Sequence, residues 1–441
     1  EAASVNWSIV LLAAVCIFTV QLNYKIMKKL FTILFPVVIL QSPAGAQVFK
    51  TTIGTDAVKE VSLSISQAAD SSYVAAGYYT DANFDDFPYL TRIKKDGSIG
   101  WMKQVSIPEK SYPFCLVETV KTAASKPDGY IATIDGDDHF YLVRLSNTGG
   151  ITWAKQITAS ISLEGKPKPV YDNTGKLTGF YILANFGRTV IKTNTSGNIV
   201  WQRKITHPTV GSLYKFADMK VTSDGGVVLV GNTYIEGGSL YSFPVAFRLS
   251  SVGTVLFAHS YVLANNGESN PRFYGVTPTP SGYAITASQG WNTNITLSID
   301  NLGASINWAY QFTSTDAQDV IVAGASITTD ASNNLIIAGG EWKVSRNGVM
   351  LKLNASGILQ FSKKFSSIGV FSDVQVTNTG TYCFSGRGSY GGEADLAVVN
   401  VSALGNVAAS CRSTSVTLGA APTDKKLVGN PSFGIVADTF T

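Results

Sequence analysis

Six short segments hold most of the side chains able to act on a ligand: TDANFDDFP (80–88), DGDDHF (135–140), TYIEGGSLYSF (233–243), SQGWNTN (288–294), GEWKVSRNG (340–348) and RGSYGGEAD (387–395). They set flat aromatics, among them Tyr234, Trp291, Trp342 and Tyr390, beside hydrogen-bonding groups such as Asp137, Asp138, Asn292 and Arg346. Such rings can stack on the apolar face of a sugar while carboxylates, amides and guanidinium groups hold its hydroxyls. The plainer reading is that the aromatics cap the elements they join and the acids are solvated loop residues. Asp135, Asp137 and Asp138 also offer oxygens to a calcium ion, although the twelve-residue, glutamate-terminated pattern of an EF-hand loop is absent.

No residue is singled out as catalytic. The mature chain has three histidines, His139, His207 and His259, and neither H-E-x-x-H nor G-x-S-x-G occurs. His139 beside Asp137 and Asp138 is the histidine best placed for chemistry. The run GRGSYGG (386–392) has the G-x-G-x-x-G spacing, but a strand rather than a helix is expected after it, so phosphate cradling is rejected. A carboxylate pair for glycoside cleavage is defined by separation in space. A polysaccharide hydrolase or lyase using acids from these loops therefore stays open, as does a purely structural spacer.

The elements that must position these loops recur. Turn glycines Gly97, Gly149, Gly197, Gly253, Gly303 and Gly357 are followed by Trp101, Trp153, Trp201, Phe257, Trp308 and Phe361, and a weaker copy has Gly405 with Ala409. Successive glycines are 52, 48, 56, 50, 54 and 48 residues apart, the regularity of a repeat architecture. Each unit reads as four strands, exemplified by A (61–67), B (72–79), C (88–94) and D (99–105). Asp, Asn or Ser beside Gly supplies hairpin chemistry at the A–B and C–D turns. Strand B is apolar throughout, as in VVLVGN (227–232), which suits burial on both faces. Seven such units predict an all-β, seven-bladed β-propeller of four-stranded antiparallel blades over residues 47–411. Each D-strand aromatic is expected to pack against the next blade. Residues 47–52 look like a D strand without a blade and are expected to close blade seven, Phe49 and Lys50 matching the Trp-x-Lys pattern. The segment 406–411 would then add outside or peel away.

Composition agrees. The 441 residues are 45% hydrophobic and 15% charged with a net charge of +4, which excludes disorder and gives no nucleic-acid footprint. Residues 27–46 read as a signal peptide: Lys28 and Lys29, an apolar run, then Ala44 and Ala46 before Gln47. Residues 1–26 read as an upstream, non-native extension, and no stable membrane span is expected in the mature chain. Cys115, Cys383 and Cys411 are expected to be free, largely buried thiols, since strands B and D of one blade lie about 9.6 Å apart.

A signal peptide ending Ala-x-Ala-Gln, then Asp-Gly-Gly-apolar-Gly, apolar-x-Lys/Arg-Leu and Gly-x-apolar-x-Trp-x-Lys repeats, resembles the secreted β-propeller proteins of Bacteroidota. Many of these continue into a type IX secretion sorting domain. The resemblance covers residues 27 to about 411 and implies export and the propeller fold, with diverse roles; a complete sorting domain is not present. The tail, 412–441, reads as strands and turns. The expectation is a secreted or cell-surface binding or adhesion module, its partner a glycan or another surface protein.

Overall fold

The computed structural model describes residues 48–53, 59–81, 83, 85–105, 115–136, 139–157, 165–185, 187–206, 212–235, 243–263, 271–289, 293–314, 321–341, 347–365, 368–388, 396–407, 413–415, 418–422, 425–429 and 434–436. These residues form seven antiparallel sheets and no helix, a seven-bladed β-propeller. No helix among them is long and apolar enough to cross a membrane.

Blade one is Lys59–Gln67 (A), Tyr73–Thr80 (B), Asp86–Ile93 (C) and Ile99–Gln104 (D), paired in that order. Blade two repeats it with Cys115–Lys121, Pro127–Asp135, Phe140–Leu145 and Ile151–Ile157. The A strands of blades three to seven are Lys168–Tyr171, Ser212–Val221, Arg272–Thr279, Ile321–Thr329 and Ile368–Val376. Strand B is the buried heart of each blade. Val74, Ala75 and Ala76 in blade one, and Val227 to Val230 in blade four, are inaccessible to solvent. Sheets that bury both faces need such unbroken apolar runs.

The ring closes as expected from the sequence. Phe49–Ile53 pairs antiparallel with Leu396–Val401, Phe49 opposite Asn400 and Ile53 opposite Leu396, and so supplies strand D of blade seven. One detail differs. Phe49 takes the aromatic's place, but Thr51 rather than Lys50 stands two residues on, where blades one, two, three and six carry Lys or Arg, and its hydroxyl donates to the Gly97 carbonyl at 2.5 Å. In blade three Arg203 Nε makes the corresponding contact to Gly253 O at 3.3 Å.

The recurring hairpin is the device that joins blades. The D-strand aromatic of each blade lies under the C–D turn glycine of the next: Trp101 under Gly149, Trp153 under Gly197, and so on to Phe361 under Gly405 and Phe49 under Gly97. At Gly197 the backbone is left-handed, φ +79°, and a Cβ would come 2.7 Å from the Trp153 ring. Glycine is therefore required twice over, by conformation and by space. Phe49, Trp101, Trp153 and Phe257 also meet a B-strand ring of the next blade, Trp101 meeting Tyr130 with ring centroids 5.9 Å apart and nearly perpendicular. The basic residue in Trp-x-Lys covers the ring from outside, as Arg203 does over Trp201 at 5.5 Å. His259 fills that position in blade four, stacked on Phe257 and bonded to Leu302 O. On strand C, three cations pin the A–B turn of their own blade: Arg144 bonds Asp128 at 3.0 Å, Arg248 bonds Asp224 at 2.7 Å, and Lys352 lies 3.5 Å from Asp330.

Beyond blade seven the chain runs back around the outside. Ser413–Ser415, Leu418–Pro422, Lys425–Gly429 and Gly434–Val436 add as antiparallel fifth strands to blades six, five, four and three. Ser413, Ala420, Leu427 and Ile435 face the same D-strand position, four residues past the aromatic, at Phe365, Phe312, Tyr261 and Ile205. Each step around the rim thus uses seven or eight residues, and it covers four sheet edges that would otherwise be open. Cys115 and Cys383 are free and buried, and burial pushes the Cys115 thiol up to about 12. Cys411 lies outside the described residues.

Two glycines separate the ring contact from backbone strain. Gly197 and Gly380 share a left-handed φ, +79° and +76°, but nothing lies within 4 Å of a Cβ at Gly380. Gly380→Ala is expected to cost about 1–2 kcal/mol from conformation alone. Gly197→Ala should cost at least about 1 kcal/mol more, because the Trp153 ring must also move. Urea unfolding of both variants reads the difference.

Candidate functional site

All eight residues expected to bind a ligand lie where their side chains are not described. Asp137, Asp138, Trp291, Asn292, Trp342, Arg346 and Tyr390 fall outside the described residues, and for Tyr234 only the backbone, within Val227–Ile235, is described. In sequence the first seven fall between strands B and C of their blades, and Tyr234 lies near the end of a B strand. His139 is described, nearly buried, with Nε2 2.9 Å from the Tyr141 hydroxyl and the two rings edge to face. That is a packing role. Among the described residues no group of three or more His, Cys, Asp or Glu could hold a metal ion.

The chemistry that the described residues do bring together lies in the central channel, lined by the A strands. The pairing of A with B defines equivalent places around the ring. Ser64 faces Ala76, Leu116 faces Thr133, Asp218 faces Val230, Gly275 faces Thr286, Ser326 faces Ala338 and Asp373 faces Ser385. In blade three Lys166, two residues ahead of Lys168, falls at this level. Two residues further on in each blade come Ser66, Glu118, Lys168, Lys220, Thr277, Thr328 and Gln375. Side chains two apart on a strand share a face, so these are two tiers around one axis. Bulges just before Ser64, Asp218, Gly275, Ser326 and Asp373 set this register.

Lys166 crosses the axis. Its ammonium donates to Ile65 O in blade one at 2.6 Å and lies 2.6 Å from Asp373 Oδ2 in blade seven and 3.6 Å from Glu118 Oε2 in blade two. Asp373 also accepts from the Ile65 amide at 2.9 Å and from the Ser326 hydroxyl at 3.0 Å. Ser64 takes the equivalent bond from the Val117 amide at 2.9 Å, and Asp218 from the Val276 amide at 3.1 Å. A side chain on one A strand thus accepts from the neighbouring A strand, stitching adjacent blades along the channel. Glu118 accepts from the Ser66 hydroxyl and, at 3.5 Å, from Gln375 Nε2.

The protonation states follow from this arrangement. Burial by itself raises the Glu118 and Asp373 carboxyls, but the Lys166 charge outweighs it in combination with Lys168 and the Ser66 hydroxyl at Glu118 and with the Ile65 amide and Lys220 at Asp373, and both are held below the usual carboxylate range. Burial works against the Lys166 ammonium, yet Asp373 and then Glu118 keep its pKa raised. Lys168 is different. Burial, then the charges of Lys220 and Lys166, lower it to about 8. Among the described residues its ion-pair contact is to Glu118 at 4.0 Å, beyond hydrogen-bond reach.

This network was not anticipated from the sequence. Its residues sit in short segments of the A strands, among them KPKPVY (166–171), ADMKV (217–221) and SDVQV (372–376). The signal was available in one form: charges recur at the A-strand position of blades two, three, four and seven, in the segment that precedes the apolar B strand.

Comparison with known proteins adds fold and nothing finer. No family model matches the sequence, and no curated protein matches it. Solved structures do match. U3-55K aligns over 81% of this chain and all of its own, TM-score 0.53, at 9% identity. The WD40 repeats of RRP9 align over 81% of this chain and 98% of their own, TM-score 0.52, at 9% identity. The plexin A4 extracellular region aligns over 81% of this chain and 51% of its own, TM-score 0.51, at 8% identity. The chain is a seven-bladed β-propeller, and at these identities the likeness is one of fold.

Two lysines at neighbouring levels should behave in opposite ways. Lys166→Met leaves Asp373 and Glu118 buried without their cation and is expected to cost about 3–5 kcal/mol. Lys168→Met removes a poorly paired buried charge and should leave stability at neutral pH unchanged or raised. The sign follows from linkage. With a folded pKa of about 8 against 10.5 unfolded, the unfolded chain binds more protons between those values. Wild-type stability therefore gains on the Lys168→Met variant as pH rises through that window. Parallel denaturation series across it check the slope.

Proposed function

We propose that this chain is an exported binding or adhesion module that takes its ligand on the face built by the B–C and D–A connections. The observation that carries this reading is the state of the channel. Of the carboxylates in its two tiers, Glu118 and Asp373 are held below the usual carboxylate range, Lys166 being the largest charge that lowers them, and Asp218 accepts from the Val276 amide and lies 3.8 Å from Lys220. Glycoside cleavage needs one carboxyl kept protonated by a raised pKa, and neither Glu118 nor Asp373 supplies it. The channel therefore braces the wheel, and recognition is left to the loops it supports.

The loop composition supports the ligand class. Trp291, Trp342, Tyr234 and Tyr390 beside Asn292, Arg346, Asp137 and Asp138 suit a glycan or the polar surface of another cell-surface protein. The signal-peptide pattern at residues 27–46 supports secretion or surface display, with mature protein starting at Gln47. Calcium held by Asp137 and Asp138 belongs to the same proposal as an optional brace for one loop.

A glycan-array screen of the exported protein, with and without calcium, tests the reading beside Trp291→Ala and Trp342→Ala. Saturable binding that weakens about tenfold or more in either variant is expected, the loss of one buried aromatic anchor. Polysaccharide shortened during the assay would favour the hydrolase or lyase instead. A folded protein that retains no sugar would overturn the glycan reading. N-terminal sequencing of exported protein should begin at Gln47, and an uncleaved start would contradict the export reading.

A further inference from the structure

The second tier of the channel is lopsided. On blades seven, one and two its polar groups serve one another: Gln375 Nε2 and the Ser66 hydroxyl both donate to Glu118, and Ser66 also lies 2.9 Å from the Thr119 hydroxyl. On blades three to six the same level carries Lys168, Lys220, Thr277 and Thr328. Among the described residues none of these four side chains makes a hydrogen bond, and the two ammonium groups have only long ion pairs, Lys168 to Glu118 at 4.0 Å and Lys220 to Asp218 at 3.8 Å. Lys168 and Thr277 are nevertheless almost wholly buried, 7% and 4% exposed. Four of the tier's seven positions thus form an arc of donors with no acceptor within hydrogen-bond distance among the described residues. None of these donor atoms is both sealed from solvent and without a partner, so a ligand in the channel can reach them.

We infer that this arc, Lys168 and Lys220 flanked by the Thr277 and Thr328 hydroxyls, is a binding site for a small oxyanion at the A–B-turn end of the channel. An oxyanion presents several acceptor oxygens and negative charge to groups that can only be improved by both. Glu118 and Asp218, on the flanks, keep the site weaker than a bare pair of lysines, and Lys166, between Glu118 and Asp373, adds its field from the tier above. The site does not depend on the loop face and stands or falls separately from the function proposed for that face.

The groups facing Lys168 are Lys220, Lys166, Asp218 and Glu118, and burial, together with the net effect of these charges, leaves it with a pKa of about 8. An arriving anion favours the charged form, so binding near that pH should take up a proton. Sulfate is the probe, since it does not itself titrate there. Isothermal titration of the full chain with sulfate, at constant ionic strength and in buffers of different ionisation enthalpy, reads affinity and proton uptake together. Saturable binding with proton uptake is expected, with affinity falling as pH rises above about 8. Lys168→Met should weaken it about tenfold or more, the loss of one charge-assisted contact, and abolish the uptake. Thr277→Val keeps every charge and should weaken binding by a few-fold with the uptake intact, which separates a built site from general charge attraction. No saturable heat with the wild-type chain, or equal sulfate affinity in the wild type and Lys168→Met, would overturn the inference.

Discussion

The whole wheel depends on a ring pressed against a glycine. Seven times, a D-strand aromatic lies beneath the C–D turn of the following blade, and the turn can approach only because it has no Cβ. Twisted sheets arranged around an axis leave wedge-shaped gaps that widen outward. A large flat side chain fills that gap, and a left-handed turn lets the neighbouring backbone close over it. Blade spacing is therefore set by one contact type repeated, and the period near fifty residues is what that contact looks like when written along a chain.

Inside the wheel a second constraint operates on different chemistry. Apolar packing holds sheet to sheet, but the inner edges of the A strands carry backbone amides with no further strand to bond. Asp373, Ser64 and Asp218 take those amides from the neighbouring blade, and Lys166 reaches across the axis to balance the charge this introduces. The buried ions add little to net stability beyond an apolar alternative. What they supply is a fixed arrangement of seven inner strands. The outside is finished by the tail, which lays one short strand along each of blades six, five, four and three.

The sequence disclosed most of the fold and little of the site, for physical reasons. Turn glycines, the aromatics after them and the apolar B strands obey short-range rules, so they can be read locally. Even closure by residues 47–52 could be read, because Phe49 resembles its six counterparts; Thr51 could not, since its bond to Gly97 O depends on a turn in another blade. The channel was hidden because Lys166, Glu118 and Asp373 belong to different blades and meet only at the axis. The tail could be read as strands but not as a strap, since its partners are D strands already counted as complete. The loop aromatics Trp291 and Trp342 were singled out by type alone. The loops that carry them obey no repeat, so only their composition was informative.

Ring closure by the N-terminal strand is the claim on which the rest stands, and Phe49 tests it against an internal reference. Phe49 and Phe257 are each 7% exposed, and each packs beneath the next blade's turn glycine, Gly97 or Gly303. The account predicts that Phe49→Ala and Phe257→Ala lower the free energy of unfolding by similar amounts, about 3–5 kcal/mol each, in a single cooperative transition. A Phe49→Ala variant as stable as the wild type, alongside a destabilised Phe257→Ala, would contradict it.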